Sequence, residues 1–102
     1  MTLPQALCAL LLAGVASAAQ AATHVVTIEG MAMKPATLTV KAGDTITWEN
    51  KDVVPHTVTA PGHFDSKQLD SGKRWTWTAR SKGRITYVCT YHPGMQGTVV
   101  VE

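Results

Sequence analysis

After residue 22 the chain alternates between apolar and polar positions in short runs. His24-Val25-Val26-Thr27-Ile28-Glu29 reads as a first strand, and Thr37-Leu38-Thr39-Val40-Lys41 as a second, after Pro35 sets a bend. Gly43-Asp44 is a turn signal before Thr45-Ile46-Thr47-Trp48-Glu49, where Ile46 and Trp48 share one face and the polar residues take the other. His56 to Ala60, Lys73 to Thr78, Arg84 to Cys89 and Thr98 to Val101 continue the period of two. In Arg84-Ile85-Thr86-Tyr87-Val88-Cys89 the parity points Ile85, Tyr87 and Cys89 the same way. Helix signals are scarce. About seven to eight short strands, separated by turns rich in Gly, Pro, Asp or Asn, predict an all-β sandwich with Greek-key connections. The longest irregular stretch runs from Ala60 to Gly72 and has room for a helical turn. Trp48, Trp75 and Trp77 read as core residues on alternating faces rather than a binding platform.

The first 22 residues have a different pattern. Leu3, Leu7, Leu10, Leu11, Leu12 and Val15 lie among alanines, and Ala16-Ser17-Ala18-Ala19-Gln20-Ala21-Ala22 supplies small residues. This is the hydrophobic stretch and cleavage region of a secretory signal peptide, cut near Ala21 or Ala22. Residues 1–22 are therefore expected to leave, and residues 23–102 to form one domain. The mature form should have no membrane span and a periplasmic location. About 80 residues then remain, enough for a modest core.

Composition narrows the function. The 102 residues carry nine basic and seven acidic side chains, a net charge of +2. They form no basic stripe along the sequence, so nucleic acid is not implied. Of the two cysteines, Cys8 departs with the leader and Cys89 is left alone. No disulfide can form, and a lone thiol in an oxidising compartment is a hazard unless a ligand occupies it.

The residues after Cys89 point to a metal as that ligand. Tyr87-Val88-Cys89-Thr90-Tyr91-His92-Pro93-Gly94-Met95 offers thiolate, imidazole and thioether in one short segment. Pro93 lacks an N–H and Gly94 tolerates unusual dihedrals, so the loop can turn tightly. A second imidazole comes from His56 in Pro55-His56-Thr57-Val58, on another strand. Two histidines, one thiolate and a weak thioether form the donor set of a blue-copper electron-transfer centre with one copper ion cycling between Cu(I) and Cu(II). Zinc would fit the same donors but do no redox chemistry.

The segments from Gly43 to Asn50, Pro55 to Val58, Tyr87 to Met95 and Gly97 to Val101 resemble the cupredoxin family. The short Cys-x2-His-x2-Met spacing is similar to that of amicyanin, more than to the longer spacers of plastocyanin and pseudoazurin. The resemblance covers Val25 to Glu102 and implies His56, Cys89 and His92 as equatorial copper ligands, with Met95 axial. It implies a non-enzymatic shuttle of single electrons between transient partners, such as a cytochrome c or a periplasmic dehydrogenase or reductase. It makes His92 the electron port and gives an apolar rim of Tyr91, Pro93, Gly94, Pro61 and Gly62. A monomer is expected. Two departures stand out: Thr57 replaces the Asn that usually comes after the first histidine, and Pro93-Gly94 replaces Pro-Phe. Thr57 and Thr90 are expected to hydrogen-bond across the two ligand segments, and the Thr57 N–H to donate to the Cys89 sulfur.

A copper chaperone or buffer using the same pocket is the alternative, with Met31 and Met33 as further thioethers. A nitrite-reductase type of enzyme lacks the histidines for a second copper, since only His24 and His63 remain uncommitted. Cleavage after Ala21 would also expose Ala22-Thr23-His24, an amine, two amides and an imidazole suited to Cu(II).

Overall fold

A computed structural model describes residues 20–102. The leader expected at residues 1–22 lies almost wholly outside the described residues. The rest forms nine strands and, among the described residues, no helix. These are β1 (Thr23–Glu29), β2 (Ala32–Lys34), β3 (Thr37–Val40), β4 (Thr45–Asn50), β5 (Thr59–Ala60), β6 (Phe64–Asp65), β7 (Arg74–Thr78), β8 (Gly83–Cys89) and β9 (His92–Val101). One sheet has the order β2-β1-β4-β7 and the other β3-β9-β8-β5-β6. Both are mixed, because β1 runs parallel to β4 and β3 parallel to β9.

The two sheets close over a core that alternation predicts. Val26, Ile28, Ile46, Trp48, Val58 and Val99 are all fully buried. Trp75 and Trp77 are half-buried cross-strand partners of Trp48 and Ile46, so all three tryptophans share one face of their sheet. Phe64 joins them, with its ring 4.7 Å from that of Trp77. Trp48 Nε1–H donates to Tyr87 Oη across the sandwich at 3.0 Å, giving the buried indole its polar partner. Gly97 lies opposite Tyr87 in the β8–β9 ladder, and a Cβ there would overlap the phenol ring.

Three segments differ from the sequence reading. The Ala60–Gly72 stretch holds the short strand β6 and no helical turn. The expected strand from His56 to Ala60 is regular only at Thr59–Ala60. His56 instead forms an isolated bridge, its N–H donating to Leu69 O at 3.1 Å and its carbonyl accepting from Leu69 N–H at 2.8 Å. The last strand begins at His92 rather than Thr98. It carries a bulge there, because Cys89 pairs with His92 while Val88 pairs with Gln96. Pro93, Gly94 and Met95 are thus looped out, which suits a residue without an N–H next to one without a side chain. No helix among the described residues is long and apolar enough to cross a membrane.

Candidate metal centre

Cys89 ends β8 facing inward and is fully buried. The Thr90-Tyr91 turn sets His92 directly across from it, and opposed residues of an antiparallel pair bring their Cβ atoms within about 5 Å. His92 is half-buried and Met95, in the bulge, is 5% exposed. His56 arrives from the other segment, fully buried, with its ring centroid 5.3 Å from that of His92. Its Nδ1 lies 3.7 Å from Cys89 Sγ.

That separation tests the fit of a metal. Two donors bound to one ion at about 2.0 Å (nitrogen) and 2.3 Å (sulfur), some 120° apart, stand roughly 3.7 Å from each other. The His56–Cys89 pair meets this distance condition. The donor set, one thiolate and two imidazoles with a nearby thioether, is that of a trigonal copper site. Among the described residues, no three His, Cys, Asp or Glu side chains are already gathered closely enough to hold a metal ion, so the pair formed by His56 and Cys89 carries the test.

The imidazole at 56 is held on every side. Its Nε2 is 2.9 Å from Asp52 Oδ2, so Nε2 carries the proton and the Nδ1 lone pair faces the sulfur. Asp52 Oδ1 also accepts from Gly30 N–H at 2.8 Å, and Oδ2 from Met31 N–H at 3.0 Å. Partial burial works against ionisation of Asp52, but the bonds from His56, Met31 and Gly30 outweigh it and hold the carboxyl below the usual carboxylate range. Behind Asp52 stands Asn50, fully buried. Its Nδ2 donates to the carbonyls of Val54 and Leu69 at 2.9 Å each, and its Oδ1 accepts from Asp52 N–H at 2.9 Å. The loop leading into His56 is therefore shaped by one amide side chain.

The threonines join the two donor segments. Thr57 N–H donates to Cys89 Sγ at 3.3 Å. Thr57 Oγ1 accepts from Thr90 N–H at 2.9 Å and lies 3.1 Å from Thr90 Oγ1. Thr59 Oγ1–H adds a third contact to the same hydroxyl at 3.0 Å.

Sequence reasoning passed over Asp52, Asn50 and the exposed Val53 and Val54. The available signal was a carboxylate four residues before a candidate ligand histidine, a spacing informative only once the turn between them is known. Val53 is 90% exposed and, with Val54 and Pro55, leads directly into His56. Tyr91, Pro93 and Gly94 flank His92 and are exposed as expected. Gly62 belongs elsewhere, in a groove with Arg84 at the start of β8.

Met31 and Met33 do not form a second copper site. Met33 is buried in the core, whereas Met31 is 44% exposed on a turn where Gly30 and Met31 take φ of 64° and 60°. That left-handed pair breaks the strand period, so the two thioethers share no face. His24 Nε2 lies 2.9 Å from Asp44 Oδ2, and Ala22 N–H donates to Asp44 Oδ1 at 2.8 Å. The amine and imidazole positions of the Ala22-Thr23-His24 reading are thus both turned to one carboxylate.

Comparison with known proteins agrees with this architecture. The cupredoxin-like domain family matches residues 4–101. Amicyanin of Paracoccus versutus is 34% identical over 84 residues, covering 76% of this chain and 64% of that protein. Amicyanin-alpha of Methylorubrum extorquens is 34% identical over 90 residues, covering 82% of this chain and 76% of the relative. A solved structure of the Cu(I) form of a Met-to-Ala variant of amicyanin superposes with a TM-score of 0.74 at 35% identity, covering 85% of this chain and 88% of that one. The two-sheet fold and these matches place the chain in the cupredoxin family.

Proposed function

We propose that this cupredoxin is an exported one-electron carrier whose His56, Cys89, His92 and Met95 hold a single copper ion. The observation that carries this reading is the 3.7 Å approach of His56 Nδ1 to Cys89 Sγ from segments 33 positions apart in sequence. Copper bound there supplies a Cu(I)/Cu(II) couple. The protein's part is to keep the donors still while the charge changes. Asp52 fixes the His56 ring, the Leu69 bridge fixes its backbone, and the Thr57–Thr90 contacts fix the two ligand segments against each other. The Thr57 N–H withdraws electron density from the sulfur, which favours the reduced state. His56 is sealed from solvent, so the half-buried His92 is the route by which an electron leaves.

Around that route Val53, Val54, Tyr91 and Pro93 present apolar surface suited to brief encounters with a redox partner such as a cytochrome c or a periplasmic dehydrogenase. The carrier acts as a monomer after removal of residues 1–22. Mass spectrometry of the exported protein should find a terminus at Ala22 or Thr23.

Optical and EPR spectra of the oxidised, copper-loaded protein test the centre. An intense blue thiolate-to-copper band is expected, and Cys89→Ser should abolish it. A pale tetragonal copper spectrum, or a colourless protein carrying one zinc, would overturn the assignment. Delivery of metal rather than electrons to an acceptor would instead identify a copper chaperone or buffer.

A further inference from the structure

Three of the chain's nine basic side chains line one groove. Arg80, Lys82 and Arg84 are exposed around the connection from β7 to β8. With His63 and residues Thr76 and Thr78 they line an open groove of about 490 Å³, and no carboxylate lines it. None of the three cations has a carboxylate oxygen within 4.0 Å among the described residues. The first 19 residues carry no acidic side chain to supply one. Without these three, six basic side chains stand against seven acidic ones in number, so the chain's net charge of +2 depends on them.

Three uncompensated cations crowded on one concave wall repel one another and raise the local concentration of anions. Two guanidinium forks offer paired N–H donors in the geometry that oxyanions accept, and Thr78 adds a hydroxyl to the same lining, while that of Thr76 pairs with Thr47. A phosphate group brings up to two charges and three acceptor oxygens, which matches this surplus of donors better than a carboxylate does. The space exceeds what one small ion fills. The groove lies at the start of β8, with Arg84 five residues before Cys89, or about 17 Å along an extended strand. It is therefore separate from the metal centre.

We propose that the groove between β7 and the start of β8 binds a phosphate-class polyanion, with Arg80 and Arg84 as its main contacts. Inorganic tripolyphosphate is the probe, titrated into the Cu(I)-loaded protein and monitored by NMR. Saturable shifts are expected at the amides of Gly62 and Gly83 and at the Trp77 indole, which lines the same groove. Arg80→Gln/Arg84→Gln should weaken binding by roughly tenfold or more. That variant should keep the copper spectrum unchanged, as evidence that it is folded. Lys34→Gln/Lys41→Gln, which alters charge elsewhere, should bind as the parent does. Phosphatidylglycerol vesicles distinguish the source. Binding to them that is lost with the same two arginines identifies a lipid headgroup as the supplier of the phosphate, and binding to tripolyphosphate alone identifies a free polyanion. Absence of saturation, equal weakening in the lysine control, or occupancy by a polyglutamate peptide but by no phosphate would overturn the proposal.

Discussion

Asp52 collects three donors on one carboxylate, from Gly30, Met31 and His56, and so ties the β1–β2 turn to a buried imidazole. Removing it in Asp52→Ala leaves Nε2 without a partner and lets the ring turn. Loss of such a supporting group typically weakens metal affinity about 10–100-fold, and competition against a Cu(I) chelator should show a loss of that size. Thr57 acts from the other side. In Thr57→Ala the backbone N–H stays on the sulfur and Thr59 Oγ1–H keeps Asp65 Oδ1 as an acceptor, but Thr90 N–H loses its partner. A destabilisation of about 1–3 kcal/mol is expected from the unpaired donor. A change in blue-band energy and reduction potential should accompany it, and an unaltered spectrum and potential would show that the hydroxyl does not brace the centre.

At the scale of elements, the β8–β9 hairpin brings the donors together. Parity in β8 was readable from Ile85, Tyr87 and Cys89, because an extended strand alternates whatever it packs against. The bulge was not readable: nothing local says that three residues of β9 will be looped out, since that depends on where Gly97 must sit to clear Tyr87. Gly97→Ala therefore tests the register. The added methyl meets a phenol that is buried and hydrogen-bonded to Trp48, so the ring has little freedom to withdraw. A loss of about 1–3 kcal/mol is expected for such overpacking, measured as a lower denaturation midpoint with the slope unchanged. Shorter strands escaped the sequence reading for a similar reason. Ala32–Lys34 and Phe64–Asp65 are held by pairing with β1 and β5, not by any period of their own.

For the whole molecule, the centre is shaped by hydrogen bonds that do not involve metal. The metal-free protein should keep the amide spectrum of the loaded one outside the donor segments. Its melting temperature should be lower, because a ligand in thousandfold excess over its dissociation constant adds about 4 kcal/mol. Acid stability has a separate source at the opposite end of β1. Hydrogen bonds from Ala22, Lys41 and His24, aided by the charge of His24 and opposed by burial, lower the Asp44 carboxyl from 3.8 to about 2. A carboxyl whose value is depressed on folding stabilises above its unfolded value and loses that contribution as pH falls through the folded one. Denaturation of the metal-free protein and of Asp44→Ala should differ most at neutral pH, and the gap should close between about pH 4 and pH 2.

The chain by itself determined the strand alternation, the sandwich class and the kinds of donor available, since each arises from local period or from side-chain chemistry. It also placed Cys89, His92 and Met95 within one short segment. Only the folded molecule decided that His56 Nδ1 would face Cys89 Sγ, that Asp52 would turn it there, and that Arg80, Lys82 and Arg84 would share a groove lined by no acid. The first is a meeting of segments 33 positions apart, set by how two sheets pack. The other two join near neighbours in sequence, and they depend on the turn before His56 and on the connection from β7 to β8, whose shapes no local pattern encodes.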